Sequence, residues 1–363
     1  MTTRDPENLA AFCGLFGDLQ FKPSRERERP VRESVRAVSA GLERALLSES
    51  FVVDCATREL ERMERSNVLG HMNPFFVAPE LDIRFSFLYW APGEGSRPHE
   101  HTDWTVTAVC QNELQVEVFD WRSAVEEAKV VRTRVHPASD GRAGYIYDPC
   151  VHNPRNLTNR WSMSIHIVSP HDGKPLDGRT PFAAPPPPSR LAEGAVAANE
   201  AFTRCYDDWR RECRLRVLVG LLDTRGGLQA TPLLERLFER GRATTRRMAM
   251  AALARRDSGR AQRLLQSGKG RRITAASRLT SATPRVVCEV REQAGSAELV
   301  VNWPYGSARL VRTDPCATEA LRVLATEPSV VVGDLPGPLS DAERVALAEA
   351  VDEWFLFDLE AAA

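Results

Sequence analysis

The stretch Gly93-Glu94-Gly95-Ser96-Arg97-Pro98-His99-Glu100-His101 decides the fold. A β-rich run, DIRFSFLYW (82–90), precedes it, and its glycines and proline mark a turn between strands. On a strand, residues two apart share a face. His99 and His101 can therefore reach one ion while Glu100 points away. A third histidine, His152, lies far downstream in YIYDPCVHNPRN (145–156). A β-barrel brings such distant strands together. Neutral imidazole nitrogens suit Fe, Zn, Cu and Ni, so His99, His101 and His152 are read as metal ligands.

Working outward, TVTAVCQNELQVEVFDW (105–121) reads as two strands around a turn near Gln111 and Asn112. KVVRTRVH (129–136) alternates apolar and polar, and YIY (145–147) and WSMSIHIV (161–168) supply two more strands. Many short strands broken by Gly, Pro, Asn and Asp imply a sandwich or barrel. Residues 1–70 form a helical lead-in expected to pack on the barrel. Val35, Val38, Leu42, Ala45, Leu46, Phe51, Val52, Leu60 and Met63 recur there at helical intervals. The barrel occupies 71–182. The run AAPPPPS (183–189) cannot join a helix or a sheet ladder, so 183–194 is taken as a linker. Residues 195–363 are expected to form a mostly helical C-terminal domain. Its signals are a helix to about Leu222, a second opening at Thr231-Pro232, a hairpin over 298–313 turning at Pro304 to Gly306, and a last helix after the capping box Ser340 to Glu343. That set suggests a winged-helix-like ending.

A chain of 363 residues with 43% hydrophobic content fits two globular domains. A formal charge of -1 disfavours nucleic acid as the partner, and the arginine-rich run 240–278 reads as solvated helix. The arginine and alanine bias suggests a bacterial gene. The eight cysteines form no CxxC pair, which speaks for reduced thiols in a cytoplasm. No signal peptide or membrane span is read. A homo-oligomer is compatible with all of this.

YWAPGEGSRPHEH (89–101), DPCVHNPRN (148–156) and SMSIHIVSP (162–170) resemble the cysteine dioxygenase type of cupin, the thiol dioxygenases, over roughly residues 80–171. Gly93, His99 and His101 meet the first cupin motif, and His152 with Asn156 meets part of the second. The resemblance implies an α+β protein whose cupin barrel (a double-stranded β-helix) holds Fe(II) through three histidines. It also implies oxidation of a thiol by O2 to a sulfinate. The thiol would be a free thiol acid or one borne on a peptide or carrier.

Most cupins add a Glu ligand where this chain has Thr105 and Val106. Three neutral ligands leave the ion its full charge and open positions, an arrangement that also suits a zinc hydroxide. The family's outer-shell Ser and His correspond to Ser164 and His166, the expected catalytic helpers. Val168 stands where the family has Tyr, and Val106 lies near the place of the cysteine that cross-links to it. Tyr89, Tyr145 and Tyr147 are the phenols that could substitute. The family's carboxylate-binding arginine has no counterpart near His71 to Pro74. Arg84, on one strand face with Ser86, Leu88 and Trp90, is the substitute, so Arg84 and Trp90 are the expected substrate contacts. Other readings are a three-His oxygenase acting on a non-thiol substrate and a metal-binding sensor whose C-terminal domain binds a partner.

Overall fold

The computed structural model describes residues 6–65, 73–122, 129–175, 180–184, 200–241, 243–266, 273–281, 288–303, 306–352 and 357–360. It divides into two compact units. One is Met1–Pro187 with Leu221–Ala230, and the other is Pro188–Gly220 with Thr231–Ala363. The proline run lies outside the described residues from 185 onward, as do the start of the expected helix at 195 and the turn residues 304 and 305.

The first unit opens with three helices, α1 (Leu9–Asp18), α2 (Arg32–Ala45) and α3 (Glu49–Arg65). Asn8 caps α1 by accepting the Ala11 N–H at 2.8 Å. The periodic stretch from Val31 breaks into two helices because the chain turns at Leu46 to Ser48, where the Ser48 hydroxyl accepts the Phe51 N–H.

Nine strands follow: β1 (Phe76–Val77), β2 (Arg84–Trp90), β3 (His99–His101), β4 (Thr105–Gln111), β5 (Glu113–Arg122), β6 (Lys129–Ser139), β7 (Ala143–Ile146), β8 (Cys150–Arg155) and β9 (Ser162–Val168). They pair antiparallel in two sheets, ordered β1-β2-β9-β4-β7 and β3-β8-β5-β6. From β2 onward the chain alternates between the sheets, with only the β5–β6 hairpin staying in one. That is the eight-strand jelly roll of the cupins, here with an extra edge strand, so the protein is α+β with a cupin barrel. Asn112 makes the β4–β5 turn with φ of 62°, a left-handed conformation that asparagine tolerates well.

Register fixes which side chains face inward. Ser86, His166 and Thr107 are cross-strand neighbours, as are Leu88, Ser164 and Val109. Leu88, Trp90 and Val109 of the first sheet share a buried cluster with Leu114 of the second, with Ala138 packed against it. The opposite face of the first sheet packs on the helices. Phe85 meets Phe12 and Phe16 at centroid separations of 6.0 and 6.2 Å, and all three rings are fully buried. Each such ring contributes on the order of 1.5–3 kcal/mol. The second sheet has no such cover along β6, where residues 132–137 are exposed.

The second unit holds α4 (Glu200–Arg225) up to Gly220, then α5 (Thr231–Arg240), α6 (Ala243–Arg256), α7 (Ser258–Gln266), α8 (Thr318–Thr326) and α9 (Asp341–Asp352). It also holds two three-stranded sheets. One is β10 (Arg278–Ser281) flanked by β14 (Ser329–Val331) and β15 (Phe357–Glu360). The other is the meander β11 (Cys288–Gln293), β12 (Ser296–Trp303) and β13 (Gly306–Thr313). The expected hairpin is β12–β13. The capping box at Ser340 is formed, since Glu343 accepts the Ser340 N–H at 2.7 Å and the Ser340 hydroxyl accepts the Glu343 N–H at 3.3 Å. No described helix is long and apolar enough to cross a membrane.

Candidate metal centre

The three expected ligands come together. His99 and His101 sit on β3, and His152, on the neighbouring β8, is the cross-strand partner of His99. Their ligand atoms all lie within 4.8 Å of one another. His101 and His152 are buried and His99 is half-buried. The turn before β3 depends on its glycines. Gly93 has φ of 75°, and a Cβ on Gly95 would stand 2.7 Å from Arg155 Cγ. Asn156 holds the other side of this turn. Its N–H donates to Glu94 O at 2.7 Å, and its side-chain amide donates to Trp90 O at 2.9 Å.

Hydrogen bonds decide which ring nitrogens remain free. His99 Nδ1 lies 2.8 Å from Arg97 O, and a carbonyl only accepts, so that nitrogen carries the proton. His101 Nδ1 lies 2.7 Å from the Asp172 carboxylate and is protonated for the same reason. Both rings therefore present the Nε2 lone pair. The Nε2 atoms of His101 and His152 are 3.0 Å apart. Two nitrogens bound at right angles with metal–nitrogen bonds of about 2.1 Å would be separated by about 3.0 Å. The donor set fits a first-row divalent metal.

Electrostatics disfavours the charged forms of His99 and His152. Burial, with the charge of His101 next, lowers the His99 pKa. Burial and the neighbouring His101, His99 and His166 hold His152 well below the ordinary imidazole range. Burial pushes Asp172 up, but the His101 hydrogen bond and charge and the N–H groups of Asp103 and Thr102 outweigh it. The carboxyl stays below its usual value and ionised at neutral pH.

Ser164 and His166 form a separate polar column on the first sheet. Trp90 Nε1 donates to Ser164 Oγ at 2.9 Å, and Ser164 Oγ lies 2.9 Å from His166 Nε2. On its other side, His166 Nδ1 lies 3.1 Å from Thr107 Oγ1, so both ring nitrogens face hydroxyls that can donate or accept. His166 is buried enough to lower its pKa to about 3, with His101 and His99 adding to the shift. Both its ring nitrogens are occupied by protein partners.

Other expected site residues stand elsewhere. The indole N–H of Trp90 serves Ser164, and its ring belongs to the barrel's buried cluster. Arg84 is not brought to the histidines. It donates to Ser169 O at 3.2 Å and lines a different cleft. None of the three expected phenols replaces the family's tyrosine. Tyr89 donates to Glu59 at 3.2 Å beneath the helices, Tyr147 donates to Pro30 O at 2.9 Å, and Tyr145 pairs with Val106 on the outer face. Sequence reasoning missed Asp172, which sits in the loop after β9 and carries no motif. Arg97 acts through its carbonyl, which no side-chain pattern announces.

No family model matches the sequence, and no curated protein matches it. A solved complex of oxalate oxidase with the substrate analogue glycolate is similar at 20% identity and a TM-score of 0.21, over 25% of this chain and 46% of that one. A cupin superfamily protein from Desulfitobacterium hafniense is similar at 13% identity and 0.19, over 24% of this chain and 66% of that one. A structure of DMSP lyases is similar at 19% identity and 0.20, over 29% and 45%. This chain thus spans less than half of the oxalate oxidase chain. The barrel's assignment rests on its own strand order, not on these likenesses.

Proposed function

We propose that this protein is a non-haem Fe(II), O2-dependent oxygenase that oxidises a thiol-bearing substrate to a sulfinate. The observation that carries the reading is the ligand set. It comprises three imidazoles, two of them held through Nδ1 by protein acceptors, and no carboxylate is grouped with them among the described residues. Iron bound there would supply open positions at which a thiolate and O2 are activated together. The net change is R–S⁻ plus O2 giving R–SO2⁻, with both oxygen atoms ending on sulfur.

The chain's own residues prepare the site. Asp172 and Arg97 O orient His101 and His99. His166 stays neutral, so it adds no positive charge beside a dication. Ser164, accepting from Trp90 and hydrogen-bonded to His166 Nε2, holds that ring in place. The substrate is a free thiol acid or a thiol carried on a peptide or carrier. The all-imidazole set is also compatible with a second reading, a zinc site with hydrolytic chemistry.

Metal analysis of protein expressed without supplementation, followed by O2 uptake across a thiol panel, tests the choice. Iron with O2 consumption and sulfinate product is the expected result. Zinc with no uptake across the panel replaces it with the second reading.

A further inference from the structure

A second cleft, of about 500 Å³, opens in the first unit, and none of the three histidines lines it. Three separate segments build it. Arg25 and Arg27 come from the loop between α1 and α2, Asp82 and Arg84 from the β1–β2 connection and the start of β2, and His171 and Lys174 from the loop after β9. Four permanent cations thus face one carboxylate. Asp82 is already engaged, because it accepts the Ser24 hydroxyl. Among the described residues, none of Arg25, Arg27, Arg84 or Lys174 has an ion-pair partner.

Two details set this cleft apart from an ordinary solvated surface. Arg84 Nε is buried and has no hydrogen-bond acceptor, and its guanidinium makes one bond, to Ser169 O. A buried donor left without a partner costs free energy that a bound acceptor would recover. Arg27 and Asp82, meanwhile, hold left-handed backbone, with φ of 54° and 51°. Such conformations in non-glycine residues persist where the surroundings impose them. The Ser24 N–H bond to Glu80 O at 3.1 Å fastens the two segments that carry them. Lys174 donates to His171 Nδ1 at 3.4 Å, which leaves the His171 Nε2–H as a further donor.

We infer that this cleft binds a small, multiply charged oxyanion, the phosphate group of a phosphorylated small molecule. Several guanidinium forks and an ammonium converge there, the donor set that suits phosphate oxygens. A cavity of this volume admits a small molecule. The net excess of positive charge favours a dianion over a single carboxylate. The inference is independent of which metal the histidines hold and of the reaction there.

The test is calorimetric titration of the full chain with inorganic phosphate and with pyrophosphate at low salt, compared with the double variant Arg25→Gln, Lys174→Gln. Both side chains are exposed and come from different walls of the cleft. The expected result is pyrophosphate binding with Kd of ~0.1–1 mM, weakened ~10-fold or more in the variant. Arg132→Gln, which removes a cation from β6 instead, should bind like the parent. Thermal melts confirm that all three proteins are folded. Absence of binding up to ~10 mM pyrophosphate, or equal affinity in parent and double variant, overturns the proposal.

Discussion

Two walls of one barrel use histidine in opposite ways. On the β3–β8 wall, the fixed protein acceptors Arg97 O and Asp172 take only the Nδ1 of His99 and His101, and the Nε2 of His101 faces the neighbouring ligand His152 at 3.0 Å. On the β2–β9–β4 wall, His166 is bonded through both nitrogens and keeps nothing. Burial disfavours the charged forms of His99 and His166 alike. What separates a metal ligand from a strut is how much of its hydrogen-bonding capacity the protein has already used. The walls differ in packing as well. The central strands β2, β9 and β4 of the first sheet are mostly buried on both faces, whereas the second leaves β6 exposed.

The contrast can be broken most forcefully at a ligand. His152→Ala removes one of three donors, so metal measured after dialysis should fall from ~1 per chain to near zero. Retained stoichiometric metal would move the site away from these residues.

Acid should act on the strut. His166 is held neutral in the folded metal-free protein, with its pKa lowered to about 3. Between that value and the ordinary imidazole pKa the unfolded chain binds the extra proton, so folding stability rises with pH there. Stability is complete above about pH 6.5 and is lost as pH falls toward 3, by up to ~1.4 kcal/mol per pH unit. Denaturant melts across that range, compared with a His166→Gln variant that lacks the titration, measure it.

Asp172→Ala leaves all three ligands in place but releases the His101 tautomer. Metal affinity measured by competition with a chelator should drop ~10–100-fold, with the fold intact. Ser164→Ala gives the mirror-image result. It strands Trp90 Nε1 and His166 Nε2 without partners, so stability should fall by ~1–3 kcal/mol while metal content is unchanged. If the two variants exchanged phenotypes, the division between walls would be wrong.

Much of this was legible in the sequence because short-range chemistry specifies it. The i, i+2 spacing put His99 and His101 on one strand face, β-rich composition between turn residues marked β2, β4, β5 and β9, and alternation marked β6. The Asn112 turn and the Ser340 capping box were likewise local signals. What stayed hidden depends on long-range placement. Asp172 lies 71 residues from His101, and only the pairing of β9 with β4 brings its loop beside β3. Strand parity correctly put Arg84 on the face of Ser86, Leu88 and Trp90. Parity says nothing of distance along the strand, however, and Arg84 sits at its start, bonded to Ser169 O. β8 contains Pro154, which lacks a ladder donor and argues against a strand from sequence. Pro154 nevertheless sits near the end of β8, where its carbonyl accepts the Ser96 N–H at 2.9 Å.

The assignment of Leu221–Ala230 to the first unit bears on how the protein can be dissected. The segment Leu221–Ala230 is tied to the rest of its unit by Arg225, at the end of α4, which donates to Asp140 at 2.8 Å and to Leu46 O at 3.2 Å, and by Gln229 just beyond it, which accepts from Ser50 at 2.8 Å. The gene thus writes the barrel unit in two instalments, separated by residues of the other unit. Cutting the chain after the proline run would not excise a spare module. It would strip a strap from the barrel, leaving Asp140 and the end of α2 with newly vacated partners. Any loss of activity in such a fragment would report on that missing strap as much as on the second unit. Dissection needs point substitutions in the second unit, or a rejoined chain that carries 221–230 back to the barrel.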